Sequence, residues 1–179
     1  MRIGIDISQI VYEGTGVARY VREMVTALAK DTSYEIVLFG ASLRKKDQFE
    51  AFFRTVKGPH VTLVTVSIPP TILDILWNIL HIIPITVFTG KLDIFWSSDW
   101  TQPPLGGAKG ITTIHDVSFL RYPESFDATI VNVQKRRLFW ATRECVHFLC
   151  DSEATKKDVE KFFHISSTVL SVVYPGVTF

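Results

Sequence analysis

What this sequence lacks narrows it first. Among 179 residues there are only two cysteines, Cys145 and Cys150, and they do not form a CxxC pair. That excludes a disulfide framework and a thiolate metal site, and their apolar setting suits buried free thiols. Charge of either sign is scarce in excess: the net charge is +1 and the pI near 7.8, so nothing draws the chain strongly to nucleic acid. The one basic cluster, Lys135-Arg136-Arg137, reads as a solvated helix face. No apolar run reaches the roughly 20 residues of a bilayer crossing. The most apolar stretch, 68–90, is interrupted by Pro69, Pro70, Asp74, Asn78, His81 and Pro84. It reads as a buried helix over 71–83 followed by a loop, with docking at a membrane surface as a secondary reading. The opening Met1-Arg2-Ile3-Gly4-Ile5-Asp6 has an acid inside its apolar stretch and is no secretory leader. The expectation is a cytoplasmic protein, membrane-associated at the inner face where such docking holds. Several signatures are missing too. Arg19 stands where a GxGxxG pattern needs its last glycine, no Lys-Ser/Thr pair makes a P-loop, no GxSxG elbow is present, and no metal-ligand spacing occurs.

What is there is a core. Hydrophobic residues make up 47% and charged residues 21%, the balance of one packed domain of ordinary size. Short apolar runs predict strands over 3–7, 35–39, 61–66, 92–96, 110–114, 146–150 and 168–173. Val17, Tyr20, Val21, Met24, Val25 and Leu28 recur at helical spacing, predicting a helix over 17–30. Further helices are predicted over 48–55, 71–83, 128–143 and from Asp151 or Ser152 to about 164. Alternating strands and helices specify a mostly parallel sheet covered on both faces, a Rossmann-like doubly wound α/β fold. Such folds bind ligands at the carboxyl ends of their strands, which selects the loops after Ile7, Trp96, Ile114 and Cys150.

The unusual residues fall in those loops. Gly14-Thr15-Gly16 leads directly into a helix, where glycines allow close backbone approach and unpaired N–H groups favour an anion; a plain tight turn with a capped helix explains the same residues. Thr112-Thr113-Ile114-His115-Asp116 ends a strand in an imidazole able to donate to a sugar hydroxyl or phosphate, or to exchange protons near neutral pH. Asp116 would orient that loop. Cys150-Asp151-Ser152-Glu153 is an ordinary helix start with a hydroxyl cap, which does not bar a ligand contact. His60, His81, His147 and His164 lack such placement and read as structural.

Taken in order, these segments resemble glycosyltransferase family 4. Gly4-Ile5-Asp6 followed by Gly14-Thr15-Gly16-Val17-Ala18-Arg19-Tyr20 is similar to that family's opening. Thr112-Thr113-Ile114-His115-Asp116-Val117, then Tyr122-Pro123-Glu124-Ser125-Phe126, is similar to its central block. Asp151-Ser152-Glu153-Ala154-Thr155 and the closing Val172-Val173-Tyr174-Pro175-Gly176-Val177 complete the likeness, which runs over nearly the whole chain. The chain departs from the pattern after Asp93-Ile94-Phe95. Where the family often carries a histidine, it continues as Trp96-Ser97-Ser98-Asp99.

The resemblance implies the N-terminal, acceptor-side half of a GT-B enzyme, in which two Rossmann domains face each other across a cleft. Such enzymes move a sugar from a nucleotide donor to an acceptor with retention, usually without a metal or other cofactor. By the same likeness His115 and Asp116 are the candidate catalytic residues. Gly14, Thr15, Gly16, Arg19, Asp99, Ser152 and Glu153 are candidate substrate- or phosphate-binding residues. The implied partners are a nucleotide-sugar, a sugar or lipid-linked acceptor, and a donor-binding domain or partner chain beyond residues 1–179; nucleic acid is not among them. The donor sugar is expected to be mannosyl or a related hexose, and this chain alone is expected to be inactive. The competing expectation is a stand-alone, non-catalytic binding or assembly module derived from such an enzyme.

Overall fold

The computed structural model describes residues 1–176. Seven strands form one all-parallel sheet: β1 Arg2–Asp6, β2 Glu35–Ala41, β3 Val61–Val66, β4 Ile94–Ser97, β5 Lys109–Ile114, β6 Cys145–Cys150 and β7 Leu170–Val172, in the order β3-β2-β1-β4-β5-β6-β7. The helices are α1 Gly16–Leu28, α2 Lys46–Val56, α3 Pro70–Leu73, α4 Thr86–Thr89, α5 Ser118–Arg121, α6 Ala128–Glu144 and α7 Glu153–Phe163. The expected doubly wound α/β architecture is what the chain adopts.

Period-two alternation divides the core. Ile36 and Leu38 of β2 pack with Ile5, Val21, Val25 and Phe49, beneath α1 and α2. Val37, Phe39 and Ala41 point the other way, onto Leu73, Trp77 and Phe95. A third cluster joins Ile114, Phe148 and Cys150 to Leu138 and Ala141 of α6 and Val159 of α7. Gly4 sits where the faces press closest, because an added Cβ would lie 2.5 Å from Leu92. The order of strands reverses between β1 and β4, so the crevice of a doubly wound sheet opens between their carboxyl ends, at Asp6 and Ser97.

Two expectations need correction. The helix predicted over 71–83 is not continuous: α3 widens into a π-helix over Asp74–Ile79, and the chain then leaves helical geometry. His81 and Ile83 have positive φ (51° and 61°), and Pro84 bars the α region to the residue before it. Nor is the segment wholly buried. Leu73 and Trp77 face the core, but Ile72, Ile75, Ile79, Leu80, Ile82 and Val87 are exposed. The second correction concerns the basic run. Only Lys135 is solvated; Arg136 pairs with Asp74 at 2.6 Å, and Arg137 is 1% exposed under the sheet's carboxyl edge. Helical periodicity turns Arg137 inward with Leu138 and Ala141, a placement that a run of like charges conceals. Among the described residues no helix is long and apolar enough to cross a membrane.

Candidate functional site

The carboxyl ends of β1, β4, β5 and β6 build one edge. Isoleucine and threonine fill β5 up to Ile114, and the chain then leaves the sheet at His115. Its Nδ1 lies 2.7 Å from Asp151 Oδ2, just past the end of β6. A carboxylate can only accept, so Nδ1 carries the proton and Nε2 is left as the free ring nitrogen. Among the described residues no protein atom bonds to Nε2. The ring meets Tyr20 of α1 edge-on, with centroids 5.2 Å apart, and Tyr20 in turn meets Trp96. The His115 carbonyl accepts from Thr155 Oγ1 at 3.1 Å. Strand end, neighbouring carboxylate, aromatic edge and helix α7 therefore hold one imidazole from four directions.

Beneath it lies Arg137. Its guanidinium donates to Thr112 Oγ1 and, at 3.0 Å, to the Thr113 carbonyl. Asp99 stands beside it, with its own carbonyl accepting from Gln134 Nε2 at 2.7 Å. Burial raises the Asp99 carboxyl above its ordinary range, and the charges of Arg137 and His115 act against that rise. Asp6, at the tip of β1, is buried and is pushed up to about 6 in spite of hydrogen bonds from Ser8. Both cysteine thiols are driven up by burial, Cys145 to about 12 and Cys150 to about 11, so neither is a nucleophile near neutral pH.

The candidate residues divide by position. His115, Asp116 and Asp99 line one cleft of about 140 Å³, together with Val17 and Arg137. Asp99 and Val17 also border an adjoining crevice of about 330 Å³, with Thr15, Gln9, Tyr12 and Trp100. Thr15 caps α1, its Oγ1 accepting from the Ala18 N–H at 3.2 Å, and Gly14 turns with φ +84°. Gly14 and Gly16 have nothing within 4 Å of an added Cβ, so the loop is open to a ligand. Asp116, the other candidate catalytic residue, is exposed, and its Oδ1 accepts the Ser118 N–H at 2.8 Å, a bond that shapes the loop after His115. Arg19 lies apart, bordering a cavity of about 430 Å³ with Tyr20, Tyr174 and Pro175. Ser152 caps α7 through the Thr155 N–H at 3.1 Å and reaches His115 only by way of Thr155. Glu153 is exposed and borders neither the cleft nor the crevice.

Sequence reasoning missed four participants. Asp151 is in view as a helix start and as a position of the family likeness, not as a partner of His115, and Arg137 only as part of a charge run. Tyr20 is in view as an apolar position of α1 and as the end of the opening motif, not as a ring against His115. Gln9 carried no signal, because it sits in a short 3-10 turn, Ser8–Val11, that no periodicity announces. Among the described residues no group of three or more His, Cys, Asp or Glu side chains could hold a metal.

The arrangement is that of a doubly wound domain with a conditioned histidine at its switch edge, and the family model for Glycosyltransferase Family 4 matches residues 14–178. The chain belongs to glycosyltransferase family 4. It is also similar to the O-antigen chain mannosyltransferase RfbU of Salmonella typhimurium strain LT2, with 24% identity over 178 residues, covering 97% of this chain and 48% of that protein. The family 4 chain thus spans about half the length of the curated relative it matches. The family match takes in all of the segments described above except β1, the 3-10 turn Ser8–Val11 and Tyr12. The last motif position, Val177, lies outside the described residues.

Proposed function

We propose that this chain is the acceptor-side domain of a retaining glycosyltransferase that moves a hexose, of mannosyl type, from a nucleotide-sugar to an acceptor. The observation that carries the reading is His115: an imidazole fixed by Asp151 at 2.7 Å, with Nε2 free and its ring bordering a cleft. Such a group donates to, or accepts from, a sugar hydroxyl or phosphate without reorganising, and preorganised polar groups of this kind are the largest single source of rate in many enzymes. The open Gly14–Gly16 loop at the start of α1 offers N–H groups to a departing phosphate. Asp116 keeps the His115 loop in shape, and no metal enters the scheme.

A donor-binding half, supplied by a further domain or a partner chain, completes the site in this reading. The chain's span of about half of its mannosyltransferase relative supports it. The acceptor is a sugar or a lipid-linked sugar at the inner face of the membrane, in keeping with the exposed isoleucines of 72–82.

The test is a transfer assay with a panel of nucleotide-sugars, run on the protein that includes the donor half and on the 179-residue chain alone, with lipid-linked acceptor presented in vesicles. Transfer by the first, with the donor's anomeric configuration kept in the product, is the expected result. Inversion would refute the stereochemistry, transfer by the short chain alone would refute the two-part site, and no transfer from any donor would refute the enzyme.

A further inference from the structure

The crevice at the β1/β4 switch point is chemically different from the cleft beside it. Tyr12 (46% exposed) and Trp100 (37%) both border it, and both also border a smaller cavity behind it. Their backbones are fixed. The Trp100 carbonyl accepts from Asn78 Nδ2 at 2.9 Å, and the Tyr12 carbonyl accepts from Thr15 Oγ1 at 2.9 Å. Their polar tips are not. Among the described residues Trp77, Trp96 and Trp140 each donate the indole N–H to a protein oxygen, at 3.0, 3.1 and 3.0 Å. Trp100 donates to none, and the Tyr12 hydroxyl bonds to none. Below them is Gln9, 3% exposed, whose Oε1 has no hydrogen-bond partner, and Asp99 Oδ1 has none either. Buried acceptors are nearly always paired in a finished fold.

The crevice thus joins two aromatic surfaces to two unfilled acceptors, and no lysine or arginine borders it. Asp99 stands in its wall, and no cationic side chain there offsets the charge of a phosphate. The complement is a neutral group with one apolar face and several hydroxyl donors. A pyranose ring has that chemistry: its axial C–H face lies on an aromatic ring, and its hydroxyls donate to amide and carboxylate oxygens. The volume of about 330 Å³ falls within the ordinary range of small-molecule sites, about 300–1,000 Å³.

We propose that the crevice between Tyr12 and Trp100 binds an uncharged saccharide ring of the acceptor, with Gln9 and Asp99 receiving its hydroxyls, and that the charged part of the substrates lies elsewhere. This deepens the glycosyltransferase reading and rests on it. The site stands at the switch point, next to the cleft of His115 through their shared Asp99 and Val17, so a ring seated there has a hydroxyl directed toward the imidazole side.

The test reads the four indole N–H resonances while methyl hexopyranosides, methyl α-D-mannopyranoside among them, are titrated in, with inorganic pyrophosphate as the charged control. Trp100→Phe assigns the resonance. At least one glycoside is expected to move the Trp100 signal and spare the other three, and Gln9→Leu should weaken that response tenfold or more. In the transferring protein, Tyr12→Ala should raise the acceptor KM tenfold or more while the donor KM stays put. Movement with pyrophosphate only, or silence with every glycoside, overturns the proposal, as does an unchanged acceptor KM in Tyr12→Ala. The two readings fail separately. A glycoside response without transfer defeats the enzyme and keeps the subsite; transfer with a silent Trp100 defeats the subsite and keeps the enzyme.

Discussion

Two histidines in this chain are held in nearly the same way and differ in what is left over. His81 lies flat on Trp140, with centroids 3.7 Å apart and planes 6° from parallel. Its Nδ1 lies 2.8 Å from the Trp77 carbonyl and its Nε2 2.8 Å from Glu144 Oε1. His115 has the same kind of carboxylate partner, Asp151 at 2.7 Å, and an aromatic neighbour in Tyr20, but only one ring nitrogen is used. A histidine–carboxylate pair is therefore no mark of function by itself. His81 spends both nitrogens on tying the irregular end of the π-helix to α6, where Trp140 also donates to the Asn78 carbonyl. His115 keeps one nitrogen for whatever enters the cleft.

The comparison can be attacked first from below, through Arg137. If the His115 side is rigid because a buried cation ties β5 to α6, then Arg137→Met leaves Thr112 Oγ1 and the Thr113 carbonyl without their donor and Asp99 without the charge that offsets its burial. Leaving two buried acceptors unpaired costs about 1–3 kcal/mol each, read as a lowered urea midpoint. An unchanged or raised midpoint would mean that desolvation of the guanidinium already cancels its bonds, and that the cation is kept for a ligand rather than for the fold.

The histidines themselves come next, as a crossed pair. His115→Ala should lower kcat/KM of the transferring protein by about 10²- to 10³-fold, the usual cost of one preorganised polar group, at a stability cost smaller than that of His81→Ala, because only one of its ring nitrogens is bonded. His81→Ala should do the reverse. It loses a stacked pair worth about 0.5–1.5 kcal/mol and a hydrogen bond to a charged group worth about 1.5–3 kcal/mol, so stability should fall by about 2–4.5 kcal/mol while transfer below the melting range is retained. If both variants lose activity alike, or both lose stability alike, the distinction by leftover nitrogen is wrong.

How far the sequence reveals this follows from the same pair. Strand and helix order are legible because β2 alternates its two faces residue by residue and α1 repeats at helical spacing. The strand-end rule then brings out His115 and leaves His81 out. What stays hidden is everything made by contact between distant segments: Asp151 reaching His115 from the next strand, Arg137 turned inward from a run of charges, and Gln9 stranded under two aromatics. The break at 80–83 is hidden for a related reason. Pro84 signals where the helix must stop, but the widening over Asp74–Ile79 accompanies Asn78 bonding to Asp74, Trp100 and the Gln102 N–H, and two of those partners lie more than twenty residues downstream.

The smallest expected effect concerns a carboxylate with no imidazole beside it. Asp151 has His115 and Glu144 has His81, whereas Asp6 has only Ser8 and its neighbours, and burial lifts it to about 6 from 3.8. The folded state therefore holds this proton more tightly than the unfolded chain does. Its contribution to stability is complete below about pH 3.8 and is lost as pH rises through about 6. At neutral pH the ionised form costs at most about 3 kcal/mol, from two pH units at about 1.4 kcal/mol each. Asp6→Asn keeps an acceptor for the Ser8 N–H and cannot ionise. Its melting temperature relative to the parent should climb between about pH 4 and pH 7.5, and a difference that stays flat across that window would show that Asp6 is already solvated or paired well enough to need no histidine.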